Sequence, residues 1–185
     1  MKRVLLLLAV LLFSAGTMMA QQDKAAEKAA KKAEKEAKKA AEAAEQMALF
    51  EQGVQALKEK DFVLEAERVE FKRGQFVYVT PSTNFVSMKG DRATIQLAFN
   101  TAAAGPNGIG GITVDGSASN IEMKTDKKGN VTFSMMVQGV AVSANVTIRM
   151  VKGTNKCTAT VNPNFNSNRI SSVSYTHLRA HETVL

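Results

Sequence analysis

Two hydrophobic periods divide this chain. Between Asp23 and Glu45 the residues are almost wholly Ala, Lys and Glu, all strong helix formers. Ala26, Ala30, Ala33, Ala37, Ala40, Ala44 and Met47 recur in steps of four and three, the seam of a heptad pattern. Glu27 with Lys31 and Glu34 with Lys38 are i, i+4 pairs in the favourable order, and Asp23 suits a helix start. A continuous helix over 23–60 would be roughly 57 Å long at 1.5 Å per residue. Gly53 is its weak point. Near its end Met47, Phe50, Val54 and Leu57 form an apolar stripe at helical spacing, expected to dock on the domain that follows. Alanine knobs bury little area, so the pattern favours a solvated spacer over a coiled coil.

From Phe62 the period changes to two. Ala93, Ile95, Leu97 and Phe99 alternate with smaller or polar residues; so do Val131, Phe133, Met135 and Val137, and then Val142, Ala144, Val146, Ile148 and Met150. Such alternation predicts half-buried antiparallel strands. Further strands are expected at about 63–71, 75–80, 84–89, 118–125 and 156–162. The turn signals are Arg73-Gly74, Lys89-Gly90-Asp91, Asp126 to Gly129 and Lys152 to Asn155. The fold class expected is mainly β, an antiparallel sandwich or barrel-like meander over 62–172, preceded by a long charged helix over 21–61.

The two ends read differently. Lys2 and Arg3 precede a short apolar run from Val4 to Phe13, and small residues lead to Ala20. This is the pattern of a secretory signal over 1–20, with an uncleaved anchor as the alternative. Residues 173–183 read Val-Ser-Tyr-Thr-His-Leu-Arg-Ala-His-Glu-Thr, which resembles the translation of a transposase sequencing adapter. His177 and His181 stand at helical metal-pair spacing, but the adapter resemblance removes both from the chemistry. Residues 173–185 are therefore set aside as foreign, and the β domain is expected to lack its native end. Arg169 to Ser172 would begin a last strand.

Charge and composition narrow the chemistry. The whole chain has 24 basic and 17 acidic residues and a single Cys, which excludes an internal disulfide. The helical segment 21–61 is neutral, with nine residues of each sign, so it is no nucleic-acid arm. Residues 62–172 carry 12 basic and 7 acidic groups. No His lies between residues 1 and 172, so Cys–His and Ser–His chemistry have no base there. Cys157 falls in phase with Ala159 and Val161 and is expected inside. Glu65, Glu67 and Glu70 are expected on one strand without catalytic spacing. The reading expects no enzyme, metal or cofactor.

Several stretches resemble the domain of unknown function 4251 family: Asn84-Phe85-Val86, Gly90 to Ala93, Gly105-Pro106-Asn107-Gly108-Ile109-Gly110-Gly111-Ile112-Thr113, and Asp126 to Val131. The resemblance covers about residues 50–172. It implies an exported envelope protein of Gram-negative bacteria, with no activity and no catalytic residues to transfer. The lipid-attachment Cys of some members is absent near the signal.

Two candidate sites follow. The loop from Thr101 to Gly111, with Gly105, Pro106, Asn107, Gly108, Gly110 and Gly111, permits close backbone approach to a ligand. It lacks the following helix and Lys of a phosphate loop, and a shaped crossover is the simpler reading. The second is a basic end. If the strands form a simple meander, with 100–117 as one long connection, the turns near 73, 90, 128 and 154 share one end. They carry Lys72, Arg73, Lys89, Arg92, Lys127, Lys128, Lys152 and Lys156. An extra strand at 112–115 would scatter them. Ordinary solvated turns are the plain alternative. The expected role is a binding module, periplasmic or attached to the outer envelope, for an envelope component or a small apolar ligand. The alternative is a structural or interaction protein using the helix as spacer or coiled coil. Expected partners include an anionic membrane surface and weak self-association through the helix, and exclude nucleic acid.

Overall fold

A computed structural model describes residues 2–71, 74–100, 109–154, 156–164 and 176–180. The chain divides into two compact units, Met1–Ala44 and Glu45–Leu185. Helix α1 runs Lys2–Glu59. It starts at Lys2, which places Asp23 inside the helix instead of at its beginning. Within the first unit residues 27–44 are all exposed. Lys31 and Glu27 form an ion pair of 2.6 Å there, and Lys32 and Glu36 one of 3.8 Å.

In the second unit the helix keeps its hydrogen-bonded course through Gly53, which is buried. Phe50, Ala56 and Leu57 enter the apolar core, with Met47 and Val54 packed against it. The stripe thus does what its spacing predicts, and the compact unit begins at Glu45 instead of Phe62. Lys60 ends the helix at φ 56, and its N–H donates to the Leu57 carbonyl at 3.3 Å.

Among the described residues ten strands follow: β1 (Asp61–Glu65), β2 (Arg68–Glu70), β3 (Phe76–Tyr78), β4 (Phe85–Lys89), β5 (Arg92–Asn100), β6 (Ile109–Thr125), β7 (Val131–Gly139), β8 (Ser143–Met150), β9 (Lys156–Pro163) and β10 (Thr176–Ala180). Strands β1, β4, β5, β6, β7, β8 and β9 form one curled antiparallel sheet in that order. The short β10 bridges β9 and β1 and closes the sheet into a barrel. Strands β2 and β3 make a separate two-stranded sheet, so the run expected at 63–71 is broken, with exposed Glu67 between its halves.

The barrel interior follows the alternation. Phe62, Leu64, Met88, Ile95, Phe133, Met135, Ile148 and Met150 are all fully buried. The Phe62 and Phe133 rings meet edge to face, centroids 5.7 Å apart. Cys157 is buried in phase with Ala159 and Val161. An eight-stranded barrel is just wide enough for such side chains to fill it.

One expectation changes at β6. The stretches 112–115 and 118–125 belong to one 17-residue strand. Gly116 lies where neighbouring backbone comes closest, since a Cβ there would meet the Gln138 carbonyl oxygen. The register with β7 shifts between Ser119 and Glu122, where Asn120 adopts φ 50. This bulge reverses the alternation. Ile112 and Val114 face inward before it, while Met123 stands opposite buried Phe133 after it.

Among the described residues one polar side chain, Asn84, is wholly buried. A 3-10 turn, Pro81–Thr83, delivers Asn84 to the wall between β1 and β5. Its Nδ2 donates to the Thr80 carbonyl and to Thr83 Oγ1, each at 3.0 Å, and its Oδ1 accepts the Ala98 N–H at 2.8 Å. Its carbonyl accepts the Ala66 N–H at 2.7 Å. One side chain thus fastens the return from β1 to the start of β4 and to β5.

Asn84→Ala leaves the half-buried Ala98 N–H without its acceptor and is expected to cost about 1 kcal/mol. Gly116→Ala is expected to destabilise as well, because its methyl meets backbone, which cannot rotate aside. Urea denaturation of both variants checks this, and unchanged midpoints would contradict the packing described.

Candidate functional site

The antiparallel order assigns every connection to one end of the barrel. Asp61 pairs with Lys89, so the helix enters β1 at the end that carries the β4–β5 turn. Because β6 is continuous, β6–β7 and β8–β9 turn at that same end. Lys89, Arg92, Lys127, Lys128, Lys152 and Lys156 therefore share it, all exposed. The stretch 100–117 is not one long connection, since 109–117 belong to β6, but 112–115 run on into 118–125 and add no separate strand. The turn near 73 does not belong here. Its flanking strands β2 and β3 lie on the connection from β1 to β4, and Glu65 pairs with Phe85 at the opposite end. Lys72 and Arg73 themselves lie outside the described residues.

Four acidic groups of this end are engaged internally, whereas half-buried Asp61 has one carboxylate oxygen without a hydrogen-bond partner among the described residues. Asp91 accepts from Lys60 Nζ at 3.4 Å. Asp115 accepts from Arg92 at 3.1 Å and from Thr94 Oγ1 at 3.1 Å. Glu122 pairs with Lys124 at 2.8 Å. Asp126 turns both carboxylate oxygens inward on its own loop: Oδ1 accepts the Lys128 N–H at 2.8 Å and the Asn130 N–H at 2.9 Å, and Oδ2 accepts Asn130 Nδ2 at 2.8 Å. Asn130 reaches the next turn too, its Oδ1 accepting the Lys152 N–H at 3.1 Å. The Lys152 stem crosses Gly129, its Cδ 2.7 Å from where a Cβ would stand. The two turns are thereby locked together, with Lys127, Lys128 and Lys152 on one rigid rim. Among the described residues no ion pair engages Lys89, Lys127, Lys128, Lys152 or Lys156. The pattern of alternating apolar residues carried no sign of the Asn130 lock. The Asp126-Lys127-Lys128-Gly129-Asn130 turn signal was its only trace.

The glycine-rich loop is divided. Gly105, Pro106, Asn107 and Gly108 lie outside the described residues. Gly110 and Gly111 belong to β6, in register with Phe99 and Ala98, instead of to the loop. A Cβ at Gly111 would stand 2.5 Å from the Leu97 carbonyl oxygen, so close strand packing accounts for that glycine.

The sequence reading also missed an aromatic patch. On the β2–β3 sheet Phe76 is 52% and Tyr78 80% exposed, their rings edge to face at 5.8 Å. The Arg68 guanidinium lies 5.3 Å from the Phe76 ring centre. The alternation of Phe76, Val77 and Tyr78 was the available signal, read there only as strand. Among the described residues no cluster of His, Cys, Asp and Glu could hold a metal ion, and no helix is long and apolar enough to cross a membrane.

The hydrogen bonds to Asp126, first from the Asn130 side chain and then from its backbone, hold its carboxyl below the ordinary 3.8. A carboxyl whose pKa is lowered by folding stabilises the fold above the unfolded value and loses that contribution as pH falls through the folded value. The wild-type protein is therefore expected to lose stability below about pH 4 more steeply than Asp126→Ala, and Asn130→Ala should return the Asp126 carboxyl toward its ordinary value. Carboxyl-carbon NMR titration reads this directly; a titration midpoint unmoved by Asn130→Ala would contradict the lock.

Comparison with known proteins agrees with this geometry. A family described as "Domain of unknown function (DUF4251)" matches residues 44–174, beginning one residue before the second compact unit. The match extends beyond the 50–172 expected from the motifs. Among solved structures, the chain is similar to a DUF4251 family protein from Bacteroides eggerthii DSM 20697, solved by crystallography at 1.95 Å. The two share 45% identity and a TM-score of 0.66, over 75% of this chain and 91% of that one. No curated protein matches. With its family match spanning most of the chain and a solved relative at this identity, the chain belongs to the DUF4251 family.

Proposed function

We propose that this protein is exported and acts as a non-catalytic binding module whose basic barrel end meets an anionic, phosphate-bearing envelope surface. The observation that carries this reading is the continuity of β6, which gathers three basic turns at one end. There the carboxylates of Asp91, Asp115, Glu122 and Asp126 already have internal partners, while five lysines have none among the described residues. Such an arrangement leaves a local positive field even though the total charge is modest. Val151, 56% exposed in the β8–β9 turn, adds an apolar contact suited to a headgroup layer. Export is the reading of the Lys2-Arg3 start, the apolar run to Phe13 and the small residues ending at Ala20. The barrel interior is occupied by its own side chains, which favours recognition at the end of the barrel over an apolar ligand inside it.

The second reading, an interaction protein, is favoured by exposed Phe76 and Tyr78 at the opposite end of the barrel. Aromatic side chains of this kind anchor protein contacts. In that reading the charged helix serves as spacer, or as a coiled coil through its alanine seam.

Vesicle co-sedimentation of the full chain distinguishes the two. Phosphatidylglycerol vesicles are expected to bind it, phosphatidylcholine vesicles are not, and added salt should weaken binding. Each lysine near an anionic surface contributes about 1 kcal/mol. Lys127→Ala, Lys128→Ala and Lys152→Ala combined should therefore weaken binding by about a hundredfold. Equal binding to neutral vesicles, or an unaffected triple variant, would sink the proposal. A Tyr78→Ala variant should leave vesicle binding unchanged.

A further inference from the structure

We infer that the outward face of the small β2–β3 sheet is a carbohydrate-binding site, and that its ligand is a neutral polysaccharide of hexopyranose units with equatorial hydroxyls. This goes beyond the reading of the basic end and does not depend on it.

Three observations meet here. First, the two exposed rings stand on a fixed support. Val69 is buried in the core and Val77 packs against it, so the alternation turns Arg68, Glu70, Phe76 and Tyr78 to the other face. The register sets Arg68 opposite Tyr78 and Glu70 opposite Phe76. Second, contacts run in series across that face. Glu70 pairs with Arg68 at 3.6 Å, and the Arg68 guanidinium lies against the Phe76 ring. The Phe76 ring in turn meets Tyr78 with the two planes at 86°. The series ends on Tyr78, the most exposed of the four. A platform held in place this way gives up little freedom on binding. Third, the one cation and the one anion of this face are paired with each other, so the face carries no net charge of its own.

The chemistry of a pyranose matches these features. With its hydroxyls equatorial, the ring presents C–H bonds on its two faces and hydroxyls around its rim. Its C–H face stacks on an aromatic ring, whose own face is partly negative. Each rim hydroxyl both donates and accepts, which suits a guanidinium that only donates beside a carboxylate that only accepts. Two near-perpendicular rings next to that ion pair offer stacking and hydrogen bonding together. A phosphate or carboxylate ligand gains little from a guanidinium already neutralised by Glu70. A folded protein partner covers about 800 Å² on each side around an apolar centre, more than three-residue strands provide. An open face on such short strands lets a polymer chain lie across it.

NMR titration of the full chain with cellohexaose tests this. The ring signals of Phe76 and Tyr78 are expected to move, and the backbone amides of Lys127 and Lys128 are not. Tyr78→Ala should weaken binding about tenfold. The side chain is exposed, so the fold should survive the change, and Tyr78→Phe should keep most of the affinity. Added salt and the combined lysine variant should leave cellohexaose binding as it is, in contrast to vesicle binding. Unmoved ring signals, or full affinity in Tyr78→Ala, would overturn the inference. So would tighter binding of an alginate hexasaccharide that salt abolishes, since the ligand would then be anionic. A photo-crosslinker placed at position 78 that captures an envelope protein, with cellohexaose unable to compete, would make the face a protein contact and overturn the inference too. Vesicle binding that persists through any of these failures would leave the basic end standing and remove the carbohydrate site alone.

Discussion

A curled sheet with apolar residues on one face hides that face only when its two edges meet and its ends are covered. Every other feature of this domain serves that requirement. Seven strands carry the inward alternation, and the eighth position must be filled for the interior to be sealed all round. The last turns of α1 contribute Phe50, Ala56 and Leu57 to the same core. The helix end is therefore part of the folded unit, and the charged stretch before Glu45 is a separate one. The close approach of backbone at Gly116 and the bulge at Asn120 are consequences of winding one 17-residue strand around this core.

Sealing the interior sends recognition outward. A barrel of this size filled by Phe, Leu, Ile and Met side chains has its chemistry in its connections. The two ends differ in kind. One holds locked turns, four internally paired carboxylates and lysines facing solvent. The other holds the buried Asn84 network and an exposed aromatic pair on a small separate sheet. Asn84 gives the Asn-Phe-Val motif a structural reason: its amide donates within its own turn, to Thr80 and Thr83, and accepts from Ala98 of β5, while its backbone carbonyl takes the Ala66 N–H.

The alternation from Phe62 to Met150 is a local property of the chain, so strand class, inward residues and the burial of Cys157 were legible from residue types alone. The helical stripe from Met47 to Leu57 was legible for the same reason. Parity could be stated from the sequence only as a condition. Whether 112–115 and 118–125 are two strands or one depends on Gly116 and Ser117, which stay in register with β7, while the bulge at Asn120 reverses the inward phase further along without turning the chain.

Thus the amino-acid order by itself determined the helix, the antiparallel β class, the inward faces and the placement of lysines in turns, since each depends on neighbours a few residues apart. Only the tertiary structure decided which turns meet, which carboxylates are already engaged, that Asn130 joins two loops, and that residues 176–180 close the sheet. Those depend on register between segments far apart in the chain, which strand periodicity leaves free and which packing around one shared core selects.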